Sequence, residues 1–170
     1  MKNNSSLFLF IALFFIIALL QESTFSIISV FGVKPDILLA MSAMIAFYVS
    51  GIFLPLASAF IAGVFAGFYS DAPLGFYVVL YSGTCFLIFF CRKQRFAFTE
   101  YAPLIVSLTA TIFSIIFYLI YFFITQDLSD FYFFAKTFSI YAVLNLIISF
   151  PIAWFVKIFS APRNKLFWNG

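Results

Sequence analysis

Between Asp36 and Asp71 the chain runs through positions 37–70, 34 residues, without a charged side chain. One straight helix of that length would measure about 51 Å, against about 30 Å for the hydrocarbon core of a bilayer. The run is therefore expected to fold back on itself. Ser50-Gly51 followed by Pro55 supplies the break, with Gly51 closing the incoming helix and Pro55 sitting near the first turn of the outgoing one. The predicted helices, 36–50 and 54–71, are then both rather short.

An ionised group at the bilayer centre costs at least about 2.5 kcal/mol, so charges mark the ends of apolar runs. Walking from charge to charge gives four further runs, Lys2 to Glu22, Asp71 to Arg92, Glu100 to Asp127 and Lys136 to Lys157. Each is near the roughly 20 residues that a crossing needs, and they predict helices at 5–23, 74–91, 102–125 and 137–158. Only 9% of residues are charged, where soluble chains carry about a quarter, and 65% are hydrophobic. The predicted fold is all-α, one polytopic integral membrane bundle of six transmembrane helices. With the N-terminus in the cytoplasm, seven of the nine basic residues fall inside: Lys2, Arg92, Lys93, Arg95, Lys157, Arg163 and Lys165. A single crossing by the 34-residue run would place the Arg92 cluster and the basic tail on opposite sides and remove that asymmetry, so six crossings with both termini cytoplasmic is the expectation. Met1-Lys2 and the run Leu7 to Leu20 also resemble a secretory signal peptide, but Thr24-Phe25-Ser26 is a poor cleavage site, so the segment reads as an uncleaved first helix.

Several chemistries are closed off. A net charge of +3 spread in short clusters makes no nucleic-acid footprint. The absence of histidine excludes the usual serine or cysteine triads, a His metal site and a His proton relay. Cys85 and Cys91, about 9 Å apart along a helix, cannot pair and read as apolar packing residues. None of the six acids falls in mid-span, so a proton-driven transporter would lack its carriers. No cofactor, metal site or catalytic residue is expected.

The most specific pattern lies in the third predicted helix. Small residues recur every four positions in two rows, Ala59/Gly63/Gly67 and Ser58/Ala62/Ala66/Ser70, so a neighbouring backbone can approach closely. Packing inside the bundle is one use of that face; docking of a partner's transmembrane helix is the other. Asp71, followed by Pro73 and Gly75 in a turn, reads as an interfacial acid favouring the positive N-terminal end of the next helix. Lys34-Pro35-Asp36 plays a similar part before the second helix, with Asp36 as candidate N-cap. In the last helix Asn145 is an amide in an apolar span that must find a partner, and Pro151 frees a carbonyl one turn earlier. The Arg92-Lys93-Gln94-Arg95 cluster and the Arg163, Lys165 tail read as topogenic anchors that attract anionic lipid. The 29 phenylalanines suit a lipid-facing surface, and Trp154, Trp168 and the nine tyrosines include candidates for the interfacial belt.

Ile17-Ala18-Leu19-Leu20-Gln21 closing the first helix, Lys34-Pro35-Asp36-Ile-Leu-Leu leading into the second, and Gly63-x-x-x-Gly67-Phe-x-x-Asp71 followed by Pro73-Leu74-Gly75 resemble the rod shape-determining protein MreD family. Their joint order extends the resemblance over nearly the whole chain, although the turn from Asp71 to Gly75 is shorter than in many members. The resemblance implies a non-catalytic subunit of the bacterial inner membrane that binds MreC and, through it, is linked to a penicillin-binding transpeptidase, RodA and MreB filaments. On that reading the Ala59/Gly63/Gly67 face and the outer loops carrying Pro35, Asp36 and Asp71 are the candidate MreC contacts, while Gly51, Pro55, Pro73, Gly75, Asn145 and Pro151 are structural.

A second reading comes from another class. A six-helix chain of this size is also similar to the substrate-binding S components of energy-coupling-factor vitamin transporters, to which the MreD family is thought to be related in fold. Many of those carry an Ala-x-x-x-Ala pattern in the first helix. Here Ala12 and Ala18 are six apart, and polar residues in the outer halves of the helices look scarce. A small lipid-handling membrane enzyme would lack paired catalytic groups.

Overall fold

In the computed structural model, residues 16–17, 20–21, 29–49, 51–70, 73–92, 102–125 and 131–160 are described. Among them the chain is all-helical, with helices α1 (Ile37–Tyr48), α2 (Phe53–Phe68), α3 (Leu74–Arg92), α4 (Ala102–Thr125) and α5 (Phe131–Ser160). Ile16, Ile17, Leu20 and Gln21 are helical as well, within the predicted helix 5–23, most of which lies outside the described residues.

The shortest helix is the centre of the fold. Eleven of the twelve residues of α1 are buried, and the helix packs against all four others. Its sequence, ILLAMSAMIAFY, is apolar on every side and so has no face suited to water. At about 18 Å it is far shorter than the hydrocarbon core, and α2 reaches only about 24 Å. The expected break between them is present. Val49 ends α1 in an extended conformation, and Gly51 turns the chain at φ +82°. Pro55 is the third residue of α2, within the turn whose backbone N–H groups have no intrahelical acceptor, so its missing N–H costs nothing there. A Cβ at Gly51 would meet no atom within 4 Å, so Gly51→Ala isolates the cost of the left-handed backbone. Its thermal unfolding in detergent should report a loss of about 1 kcal/mol; an unchanged midpoint would mean that this φ is not needed.

Three helices contain segments long and apolar enough to cross a membrane, Gly75–Arg92, Pro103–Ile124 and Lys136–Val156. Less than a third of each is buried. On α4, Leu108, Ile112, Ile116 and Ile120 form one exposed row at a spacing of four; on α5, Val143, Ile147, Phe150 and Trp154 form another. Apolar rows of this length are unusual on a soluble monomer and suit contact with lipid. The chain is a membrane-inserted helical protein.

The boundaries 74–91 and 102–125 agree with the sequence to within one residue. The last helix is different: α5 starts at Phe131, six residues before the expected 137, and runs unbroken through Pro151. The reason is that a charge marks where an apolar run stops, not where hydrogen bonding stops. Lys136 lies inside the helix and holds its ammonium 5.2 Å from the centre of the Phe31 ring, a cation–π contact.

Phe31 belongs to a tight turn that the sequence did not signal. Val30 and Val33 exchange backbone hydrogen bonds of 3.1 and 3.0 Å, with Phe31 at φ +53° and Gly32 at φ +82° between them. Two positive φ angles in succession make the mirror-image two-residue turn.

Candidate functional site

Asp36 precedes α1 and does what an N-cap does: its Oδ1 accepts from the Leu39 amide at 2.9 Å. Gln21 Oε1 accepts from the Leu38 amide at 3.4 Å, so a second of the helix's unpaired N–H groups is also met by a side chain. At the other end Arg92, the last residue of α3, donates from Nη1 to the Val49 carbonyl at 2.8 Å. An acid at the start and a base at the finish of α1 both complement its dipole.

Asp36 is more than a cap. It is 7% exposed, and Tyr81 donates to its Oδ1 at 2.6 Å while Tyr141 stands 3.5 Å from Oδ2. Its backbone amide donates to Asn145 Oδ1 at 2.8 Å. Among the described residues the groups that bond the carboxyl oxygens are two hydroxyls and an amide, each placed as a donor. Tyr141 in turn accepts from Ser114 at 3.2 Å. The residue that starts α1 thus ties it to α3 and α5 directly, and to α4 through Ser114. Buried hydrogen bonds of this kind contribute about 1 kcal/mol each.

Beside the cluster lies a cavity of about 140 Å³, bordered by Lys34, Asp36, Tyr77, Tyr81, Tyr118 and Tyr141. Tyr118 donates to the Tyr77 hydroxyl at 3.1 Å. Gln21, Pro35 and the α2 end carrying Ala66, Tyr69 and Ser70 complete its wall. Deeper in the bundle Ser107, Asn145 and Ser149 form a second polar group, with Ser149 Oγ 2.6 Å from the Asn145 carbonyl and 2.9 Å from Ser107 Oγ. Asn145 Nδ2 is buried and has no hydrogen-bond partner among the described residues.

The residues singled out from sequence separate into groups. Pro35 and Asp36 are buried at the cavity, so neither lies open on an outer loop as a partner contact would require. The Ala59/Gly63/Gly67 face is also covered, so of its two expected uses the structure displays packing inside the bundle. Ala59 is fully buried, and a Cβ at Gly63 would stand 2.7 Å from the Tyr77 carbonyl oxygen and the Val78 Cα of α3. The close approach foreseen from the small residues is made by the chain's own next helix. Pro73 accepts from the Phe76 amide at 2.8 Å and opens α3; Gly75 sits in open space in its first turn. Asp71 lies outside the described residues.

The sequence reading offered the tyrosines only as a source of candidates for the interfacial belt and did not single out a cluster of them. Four of them instead line one cavity, two of them, Tyr81 and Tyr141, on the Asp36 carboxyl group itself. A spacing signal was available. Tyr77 and Tyr81, Ser114 and Tyr118, and Tyr141 and Asn145 are each four apart, so each of three helices presents a polar pair on one face.

Comparison of the chain with family models, curated proteins and solved structures finds no match.

Proposed function

We propose that the chain is a non-catalytic scaffold of the MreD type, a six-crossing protein of the bacterial inner membrane with cytoplasmic termini that binds MreC and supports the enzymes of lateral wall synthesis. The observation that carries this reading is the meeting of the resembling segments. Gln21 from the end of the first helix, Lys34-Pro35-Asp36, and the end of the small-residue helix all border one cavity. Pieces scattered over fifty positions of sequence therefore act as one structural unit. The polar groups gathered there hold helices together, which is a scaffold's need. Asp36 and Arg92 sit at opposite ends of α1, in keeping with an acidic outer and a basic cytoplasmic side. With the small-residue face covered, the MreC contact belongs to another part of the surface.

One observation favours the second reading, a vitamin-binding S component: the cavity is lined by polar and aromatic side chains at the end that this topology places outside. Its size argues the other way. About 140 Å³ is below the roughly 300 Å³ at which pockets for drug-sized ligands begin. Affinity capture from native membranes separates the two. Recovery of MreC with wall-synthesis enzymes is the expected result, and recovery of an ATPase-bearing transport module in their place would replace the scaffold with the transporter.

A further inference from the structure

The cavity at Asp36 is too small for a vitamin, but it is not featureless. At about 140 Å³ it is below the size of a pocket for a drug-sized ligand and has room for one small polar group. Its chemistry is specific. At its wall is a buried carboxylate whose Oδ1 already accepts two short hydrogen bonds, whereas its Oδ2 has only the Tyr141 hydroxyl at 3.5 Å among the described residues. A carboxylate oxygen offers two lone-pair directions, so Oδ2 keeps capacity for a donor. Tyr77, Tyr81, Tyr118 and Tyr141 border the same cavity. Their rings are set edge to face, Tyr77 against Tyr81 at 84°, Tyr77 against Tyr118 at 76° and Tyr118 against Tyr141 at 76°. A carboxylate with such rings is the environment that stabilises an organic cation. Lys34, half-buried, borders the same cavity, and Tyr69 beside it is 44% exposed, so the space reaches the surface.

We propose that this cavity binds the ammonium end of a small zwitterion of the phosphoethanolamine class, with the ammonium at Asp36 Oδ2 among the tyrosines and the phosphate at the mouth beside Lys34. The ammonium, its two carbons and the ester oxygen make one small polar group. The same chemistry is carried by the headgroup of an ethanolamine phospholipid and by free phosphoethanolamine. The site is independent of the scaffold reading, since it needs no partner protein.

The test uses the purified full-length chain in detergent, and its thermal unfolding midpoint. Phosphoethanolamine should raise the midpoint in a saturable way over equal concentrations of inorganic phosphate, because a ligand that binds only the folded state stabilises it by mass action. Asp36→Asn should abolish the rise. Where Asp36→Asn does not fold, Tyr77→Ala, which leaves the carboxylate and its cap in place, should weaken apparent affinity about tenfold. Native mass spectrometry of protein from nanodiscs with and without ethanolamine phospholipid distinguishes the sources. A retained aminophospholipid displaced by phosphoethanolamine identifies the lipid headgroup; a shift with no retained lipid identifies the free compound. Either supports the site. Absence of both, or an undiminished shift in the folded variant, overturns it, and MreC capture is unaffected by that failure.

Discussion

Replacing Gly63 with leucine should destabilise the folded protein by about 3 kcal/mol, the upper end for overpacking a close-packed contact. The first added atom already meets backbone: a Cβ would stand 2.7 Å from the Tyr77 carbonyl oxygen, 2.7 Å from the Val78 Cα and 2.9 Å from the Val78 nitrogen. Backbone cannot swing aside as a flexible side chain does, so α2 and α3 must separate. Alanine at the same position gains about 1 kcal/mol in helix propensity and still brings its Cβ into that contact, so it too should lower stability on balance. Gly75→Ala is the matched control. Nothing lies within 4 Å of its Cβ, and it should be neutral or slightly stabilising. Unfolding midpoints in detergent for the three variants check the ranking; Gly63→Leu at the wild-type midpoint would mean that the helices do not meet there. Loss of MreC recovery in a Gly63 variant would then report a broken bundle before it reported a lost dock.

The second large effect is expected at Asp36. Asp36→Leu removes the acceptor for the Leu39 amide and for the hydroxyls of Tyr81 and Tyr141. A lost cap costs about 1 kcal/mol, and each buried donor left without a partner about 1–3 kcal/mol, so the total is about 4 kcal/mol. Asp36→Asn keeps one acceptor oxygen and should lose less than half of that. Because the penalty comes from stranded hydroxyls, deleting one of them should give part of it back. In a double-mutant cycle Tyr81→Phe should be clearly destabilising alone and stabilising in the Asp36→Leu background. Additive effects would mean that the two side chains do not act on one another.

Much of the architecture could be read from the charges. The span 102–125 was legible to the residue because its ends are bounded by Glu100 and Asp127, and the fold-back at Gly51 followed from arithmetic on a run too long for one crossing. Where charge and helix end part company, the reading failed. Lys136 suggested a start at 137, yet α5 carries the lysine within its second turn. The turn at Phe31 gave no signal because a bulky residue seldom takes positive φ. The site was only half legible. Asp36 as a cap needs local sequence alone, and capping is what it does; its burial against Tyr81, Tyr141 and Asn145 depends on how three later helices are rotated. Likewise the small residues of α2 announced a close approach without saying which helix would make it.

The enclosure of α1 bears on how the chain is made. Twelve residues are too few for stable insertion on their own, so this segment enters the bilayer only in company with its neighbours. Its finishing contacts come late in translation: Tyr81 lies 45 positions downstream of Asp36, Tyr141 105, and Asn145 109. Until the last helix has left the ribosome, the interior of the protein has a lid on one side and none on the other. Nascent chains stopped before residue 145 should therefore be the ones that quality-control proteases remove.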